Sequence, residues 1–317
     1  MNAPSPRIES RRCLVLGGAG FIGSHLVDGL VAQGHTVRVF DRPGVALAQP
    51  PDSQRMERIE GDFSNAGDIA AALSGIDVCF HLVSTTLPRS SNADPVFDLE
   101  SNLVGTVRML QHAVESGVRK VVFVSSGGTV YGVPQYLPID EAHPTQPICS
   151  YGIAKLAIEK YLELFRHLHG LDYVALRLSN PYGERQRANA SQGAVAVFLG
   201  KLLRDEPVEI WGDGSVVRDY IHISDVIAAM LRAIDYRGSE RVLNIGSGNG
   251  MTLNEVLDGI ERVTGRSARR IHAPGRPFDV PASVLSIARA RAALDWAPGV
   301  GFTQGIERMA AWISQHP

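Results

Sequence analysis

The apolar residues of this chain fall into short, nearly unbroken runs instead of alternating with polar ones. CLVLGG (from Cys13), HTVRVFD (from His35), DVCFHLV (from Asp77), KVVFVSS (from Lys120), YVALRLSN (from Tyr173) and RVLNIGSG (from Arg241) are of this kind. Strands buried on both faces of a parallel sheet read this way. In the first half they alternate with stretches of helical spacing, the first reaching about Gln33. Strand–helix alternation builds right-handed βαβ units, so the expected class is α/β, with a Rossmann-type doubly wound parallel sheet. After about Asn180 the pattern changes. Gly, Pro and Arg scatter through longer loops such as NPYGERQRANASQG, WGDGSVVRD and APGRPFDVPAS. Residues 11–180 are therefore read as the doubly wound domain. Residues 181–317 are read mainly as a smaller C-terminal substrate-binding α/β domain, with a strand near 241–248 returning to the first.

Composition narrows the classes. At ~150 residues per domain, 317 residues make about two domains. Thirty-one basic against 33 acidic residues give a net charge of −2, without the basic footprint of a nucleic-acid partner. A 44% hydrophobic, 20% charged chain is not a disordered one. No apolar run approaches the ~18 residues of a membrane span. The opening MNAPSPRIESRR has no apolar stretch behind its charges and does not read as a signal peptide. Three cysteines, Cys13, Cys79 and Cys149, are too few and too odd for a disulfide framework, and they suit the cytoplasm. No Cys/His cluster has metal-ligand spacing, so no metal is expected.

Chemistry appears first at Gly17, Gly20 and Gly23, directly after the first strand. Glycines there allow a tight turn, close approach to a pyrophosphate and close helix–strand packing. The following helix offers N–H groups and a positive dipole end to the phosphates. The next strand ends in Asp41, whose carboxylate can bind a ribose 2′-hydroxyl and repel a 2′-phosphate, which favours NAD over NADP. Arg42 beside it tempers that preference, because it could hold a 2′-phosphate.

A second pattern is Tyr151 followed four residues later by Lys155, on one face of an amphipathic helix. A free phenol, with a pKa near ~10, is a poor base at neutral pH. A neighbouring ammonium and a bound nicotinamide cation would stabilise the phenolate. The pair could then take a proton from a hydroxyl as hydride leaves the same carbon.

The two patterns together resemble the extended short-chain dehydrogenase/reductase family, specifically its NAD-dependent nucleotide-sugar epimerases and dehydratases. The resemblance runs from about Cys13 to Trp312. GGAGFIG (Gly17–Gly23) corresponds to the NAD loop, with Phe21 and Ile22 giving backbone N–H groups. Asp62 and Phe63 match the segment that reaches the adenine. Leu82 and Val83 match the strand end beside the cofactor, and Asn102 matches the family's helix asparagine. SSGGTVYG (from Ser125), RLSNPYG (from Arg177), GDGSVVRDYIHISDV (from Gly212) and GRPFDVP (from Gly275) follow in order. By this resemblance Arg218 and Arg276 hold a diphosphate, for which planar guanidinium groups are suited. Asn180 contributes its amide, Asp279 accepts from ribose, and Glu209, Trp211 and Tyr220 line the uridine pocket. The family commonly forms homodimers through a four-helix bundle; the stretches 98–116 and 151–169 are the candidates here.

The resemblance also selects a reaction. Dehydratases carry an Asp-Glu pair just before the position of Tyr131, and decarboxylases a Glu two residues before it. Here those positions are Gly128 and Thr129. Galactose-type 4-epimerases share the threonine, but their catalytic serine is Gly127 here. The missing hydroxyl must come from Thr129, Ser126 or water. Ser283 aligns with a gate that is a bulky tyrosine in epimerases restricted to plain hexoses. A small residue there leaves room for a 2-acetamido group. The expectation is an NAD-dependent UDP-sugar 4-epimerase acting on UDP-GlcNAc/UDP-GalNAc together with UDP-Glc/UDP-Gal through a transient 4-keto sugar. The alternatives are an NDP-4-keto-sugar reductase, an epimerase of another nucleotide sugar, and, more remotely, a non-catalytic NAD-sensing protein.

Overall fold

The computed structural model describes residues 9–47, 54–187, 193–275 and 280–316. In chain order the first half contains β1 (Arg12–Leu16), α1 (Phe21–Ala32), β2 (Thr36–Asp41), β3 (Met56–Glu60), α2 (Ala66–Leu73) and β4 (Val78–His81). Two short helices follow, α3 (Pro88–Ser91) and α4 (Pro95–Asp98), then a π-helical segment, Leu99–Val104, and α5 (Gly105–Glu115). β5 (Lys120–Ser126), α6 (Ser150–His169) and β6 (Asp172–Leu178) complete it. The second half holds β7 (Asn180–Tyr182), α7 (Ala194–Leu203), β8 (Val208–Trp211), β9 (Val217–His222), α8 (Ile223–Ala233) and β10 (Val242–Ile245). It continues with β11 (Gly250–Thr252), α9 (Leu253–Thr264), β12 (Arg270–Ala273), β13 (Ala282–Ser283), α10 (Ala288–Leu294) and α11 (Phe302–Gln315).

Seven strands form one parallel sheet in the order β10-β6-β5-β4-β1-β2-β3. All six apolar runs are strands of it. The seventh, β3, was not legible in the sequence. Its MERIE is an edge strand whose residues are half-buried or exposed, so its composition lacks the apolar signature. The order reverses direction between β1 and β4, and in such sheets ligands bind beyond the strand carboxyl ends at the reversal.

Each face of the sheet carries its own core. One is filled by α1, α8 and α10, with Leu26, Leu30, Val226, Met230 and Leu294 among its side chains. The other is filled by α2, α5 and α6, including Leu73, Met109, Leu110, Ile158 and Leu162. A third apolar cluster joins α7, α9, α11 and β8, with Phe198, Leu199, Leu257 and Met309. A small sheet, β11-β9-β13, with β7 also pairing β9, and the two-stranded β8–β12 complete the second half. Among the described residues no helix is long and apolar enough to cross a membrane.

Helix α6, the carrier of Tyr151 and Lys155, is fixed at both ends. Its N-cap, Cys149, gives no side-chain cap. Instead, Asn92 Oδ1 accepts from Ser150 N–H (2.9 Å) and Ser91 Oγ accepts from Tyr151 N–H (3.0 Å). These bonds satisfy two donors that every helix start leaves orphaned. Gly170, at φ +71°, ends the helix in the left-handed conformation that glycine adopts without penalty.

Candidate active site

The phosphate loop is built by close backbone packing. A Cβ on Gly23 would lie 2.2 Å from Gly17 O and 2.7 Å from Gly18 Cα, so the first turn of α1 can sit against the loop only because that residue is glycine. Gly17 adopts φ +84°, donates its N–H to Phe40 O (2.9 Å) and lies under the backbone of Leu82 and Val83. Gly20 is the N-cap of α1, and no side chain caps that helix start. The first-turn amides around Phe21, Ile22 and Gly23 are thus left to serve an anion. Asp41 ends β2 and is held against the loop. Its Oδ2 accepts from Ala19 N–H (3.0 Å) and its Oδ1 from Arg42 N–H (2.9 Å), with lone pairs left on both oxygens.

The adenine-side residues lie around the same strand ends. Asp62 is exposed, and the Ser64 N–H and hydroxyl both donate to its Oδ1 (2.8 Å each), holding the carboxyl below its usual range. Phe63 is buried and stacks on His81, with centroids 5.2 Å apart. Burial, with help from the Lys155 charge, pushes the His81 imidazole down to about 3, so it is neutral. Asn102 sits in the π-helical segment, a distortion frequent at functional sites. Its Oδ1 accepts from Thr85 N–H (2.9 Å), which fixes the segment after β4. A tight loop, an uncapped helix start and an acid at the end of the second strand fit a bound dinucleotide.

Tyr151 and Lys155 share one face of α6, beside the end of β5. Lys155 Nζ is buried, donates to Val124 O (3.0 Å) and lies 5.5 Å from the centroid of the Tyr151 ring and 4.8 Å from that of Phe123. Ser126 lies beside the Tyr151 phenol and favours the phenolate. The expectation that Lys155 lowers the phenol pKa is not met in the free protein. Burial raises the phenol well above its ordinary value, with Cys149 and Asp98 adding to the rise, and burial lowers Lys155 to about 8. Desolvation penalises the charged form of each and is the largest influence on both.

The hydroxyl absent at residue 127 has a steric explanation. A Cβ on Gly127 would lie 2.6 Å from Leu285 Cδ1 and 3.2 Å from Arg177 O, so Leu285 occupies the space that a side chain would need. Gly127→Ser is expected to cost about 1–3 kcal/mol through overpacking. Adding Leu285→Ala should recover part of that loss. Urea denaturation of the four-member mutant cycle measures the coupling, and additive effects would refute the interlock. Thr129 Oγ1 is buried without a hydrogen-bond partner among the described residues.

Two buried carboxylates flank the pair, and neither was singled out in the sequence. Asp98 is fully buried and accepts from the Thr86 hydroxyl, from Asn102 Nδ2 (2.9 Å) and from Ser150 Oγ (2.6 Å). Glu159 is gripped by Arg177 through Nε (3.0 Å) and Nη2 (2.6 Å), and accepts from Ser125 Oγ (2.5 Å). Glu159 had a signal, since it lies four residues beyond Lys155 on the same helix face. Asp98 had none, because no periodicity marks an acid on a four-residue helix.

On the substrate side, β9 gathers four of the anticipated residues. Asn180 is in register with Tyr220, and Ser283 with Arg218. Arg218 donates to Val217 O (2.9 Å) and Val280 O (2.8 Å), and Asn180 Nδ2 donates to Asp219 O (3.0 Å). Glu209 and Trp211 stand on β8 in the separate two-stranded sheet, joined by Trp211 Nε1 to Glu209 Oε1 (2.6 Å). Arg276 and Asp279 lie outside the described residues.

Comparison with known proteins agrees with this geometry. Residues 13–246 match the NAD dependent epimerase/dehydratase family. The UDP-glucose 4-epimerase of Mycolicibacterium smegmatis is 38% identical over 303 residues, covering 94% of this chain and 96% of its own. A crystal structure of UDP-glucose 4-epimerase with UDP-glucose from Thermotoga maritima has a TM-score of 0.91 at 34% identity, covering 96% of this chain and 99% of its own. The UDP-N-acetylglucosamine 4-epimerase of Methanobrevibacter ruminantium, in complex with UDP-N-acetylmuramic acid, also has a TM-score of 0.91, at 27% identity over 98% of this chain and 100% of its own. With a matched span of this length and relatives this similar end to end, the chain belongs to the NAD-dependent epimerase/dehydratase family.

Proposed function

We propose that the protein is an NAD-dependent 4-epimerase of UDP-sugars, acting on UDP-GlcNAc/UDP-GalNAc and on UDP-Glc/UDP-Gal through a transient 4-keto sugar. The observation that carries this reading is the Tyr151 phenol, beside Ser126 and held on one helix face with the buried Lys155, next to a dinucleotide loop. Residues 128 and 129 are Gly and Thr, so the acid/base pair needed to expel water is missing at those positions.

Bound NAD supplies a reversible hydride acceptor at the reacting carbon. The protein supplies the rest. Tyr151 takes the proton of the sugar 4-hydroxyl and later returns it, with Ser126 as the hydroxyl that shares it. Thr129, whose oxygen is otherwise unpartnered, is free to hold the sugar. Lys155 gives the phenolate a nearby cation. Asn180, Glu209, Trp211, Arg218, Tyr220, Arg276 and Asp279 hold the UDP moiety, so the keto sugar can turn while its anchor stays fixed. Ser283, buried in register with Arg218, leaves room beside the sugar for an acetamido group. On this reading residues 11–180 serve mainly the dinucleotide and residues 181–317 mainly the nucleotide sugar. A cytoplasmic location suits its three unpaired cysteines.

The purified protein, incubated without added cofactor, should convert UDP-GlcNAc to UDP-GalNAc and UDP-Glc to UDP-Gal, followed by proton NMR. UDP-Gal alone would keep the reaction and remove the role given to Ser283. No product from either, even with NAD added, would remove this function and favour a ketoreductase or another nucleotide sugar.

A homodimer is part of the proposal. Leu99, Val104, Ile153, Tyr161, Leu164 and Leu168 are exposed apolar residues on the stretches 98–116 and 151–169. Those on α6 fall along one helical stripe, as an unpaired helix–helix face does. Sedimentation equilibrium should give a dimer mass, and Leu164→Asp a monomer. A monomeric wild type would reject the interface.

A further inference from the structure

We propose that Asp98 is a positioning residue for the Tyr151–Lys155 pair, the buried negative charge that keeps Lys155 an ammonium ion. The proposal rests on the reading of that pair as proton-transfer machinery, and it assigns a role to a residue that no sequence motif contains.

Charged and titratable groups reach the buried amine from several elements. On α6 itself, Lys155 has Tyr151 one turn before it and Glu159 one turn after, and Cys149 stands just ahead of the helix. From β4 comes His81, a neutral imidazole between the Phe63 and Phe123 rings. From β6 comes Arg177, bonded to Glu159 (2.6 Å), and from α4 comes Asp98, which packs against the first turn of α6 through Ser150 Oγ (2.6 Å) and acts on Lys155. Tyr151 and Cys149 are both pushed toward their neutral forms by burial. Glu159 also favours the ammonium form, but Arg177 binds it through two hydrogen bonds and its effect at Lys155 is smaller than that of Asp98. Among the described residues Asp98 has no such partner, and its three donors, Thr86, Asn102 and Ser150, are all neutral. Its charge is fully buried and is therefore weakly screened. A buried cation without a counter-charge loses its proton readily. The same carboxylate ties together the segment after β4, the π-helical segment and the first residue of α6, so its position is set by three elements.

The chain has four lysines, Lys120, Lys155, Lys160 and Lys201, so lysine side-chain NMR can follow each one separately. In the wild type Lys155 should titrate near pH 8. In Asp98→Asn, which keeps the shape and removes the charge, its midpoint should fall by about one pH unit or more. The alkaline limb of kcat should fall with it, while KM and the Lys120 midpoint stay in place. Asp98→Glu should restore the Lys155 midpoint. Ser150→Ala, which removes one donor and keeps the charge, should lower stability and leave that midpoint unmoved.

An Asp98→Asn protein that is merely less stable, with Lys155 titrating as in the wild type, would overturn the proposal. If that variant does not fold, a wild-type Lys155 midpoint well below neutrality overturns it equally. Absence of epimerase activity in the wild type would defeat the functional reading, while the Lys155 titration would still decide the role of Asp98.

Discussion

Replacing Tyr151 with phenylalanine should lower kcat for UDP-sugar epimerisation by about 10²–10⁴-fold, the usual contribution of a positioned proton-transfer group. The ring would remain in place beside Lys155, so the fold, the bound dinucleotide and KM should change little. The size of the effect follows from the environment. In the free protein the phenol is driven toward its neutral form by burial, and Ser126 is its partner favouring the phenolate. No other group at the site can replace it as a base. Lys155 is a cation at neutral pH, and Asp98 and Glu159 are engaged in buried hydrogen bonds. Steady-state rates on UDP-Glc and UDP-GlcNAc, with nucleotide content measured on the same preparation, test this. A loss below about tenfold would shift the proton transfer to another group.

Gly23→Ala should empty the cofactor site. Its methyl would stand 2.2 Å from Gly17 O, a backbone atom that cannot move aside as a side-chain end can. The start of α1 must then retreat from the loop, and the amides that serve the pyrophosphate lose their aim. The expected result is protein purified without detectable NAD and a stability loss of about 1–3 kcal/mol. Absorbance and mass spectrometry of the released nucleotide measure the first, and a denaturant melt the second. Full NAD content would show that the loop tolerates displacement. At Gly44 no atom lies within 4 Å of an added Cβ, but its φ of +76° makes alanine strained there too. That variant separates backbone strain from the steric effect.

Much of this site was legible because its chemistry sits in contiguous motifs. The glycine loop, Asp41 and the Tyr151–Lys155 spacing each lie within one or two elements, so local pattern sufficed. The strands of the large sheet were legible for a related reason, since burial on both faces leaves an apolar run. β3 lacked that run because it is an edge strand. Asp98 was hidden because its importance comes from burial and from partners on three elements. Leu285 was hidden because its contact with Gly127 joins residues more than 150 positions apart. Direction also failed at one point. Sequence logic sees the ammonium beside the phenol, while the folded protein adds a desolvation cost that depends on how much chain covers the pair.

The order β10-β6-β5 carries a consequence for how the chain can be divided. β6 is buried along almost its whole length, and its outer neighbour is supplied by Val242–Ile245, more than sixty residues later. A nascent chain released as far as residue 180 therefore presents a bare apolar strand with unpaired backbone groups, a template for pairing with other chains. The nucleotide half cannot be cut out as a free-standing module at the sequence boundary. Any excised version has to carry residues 242–245 with it, and in the cell that edge stays open until about half of the second part has been made.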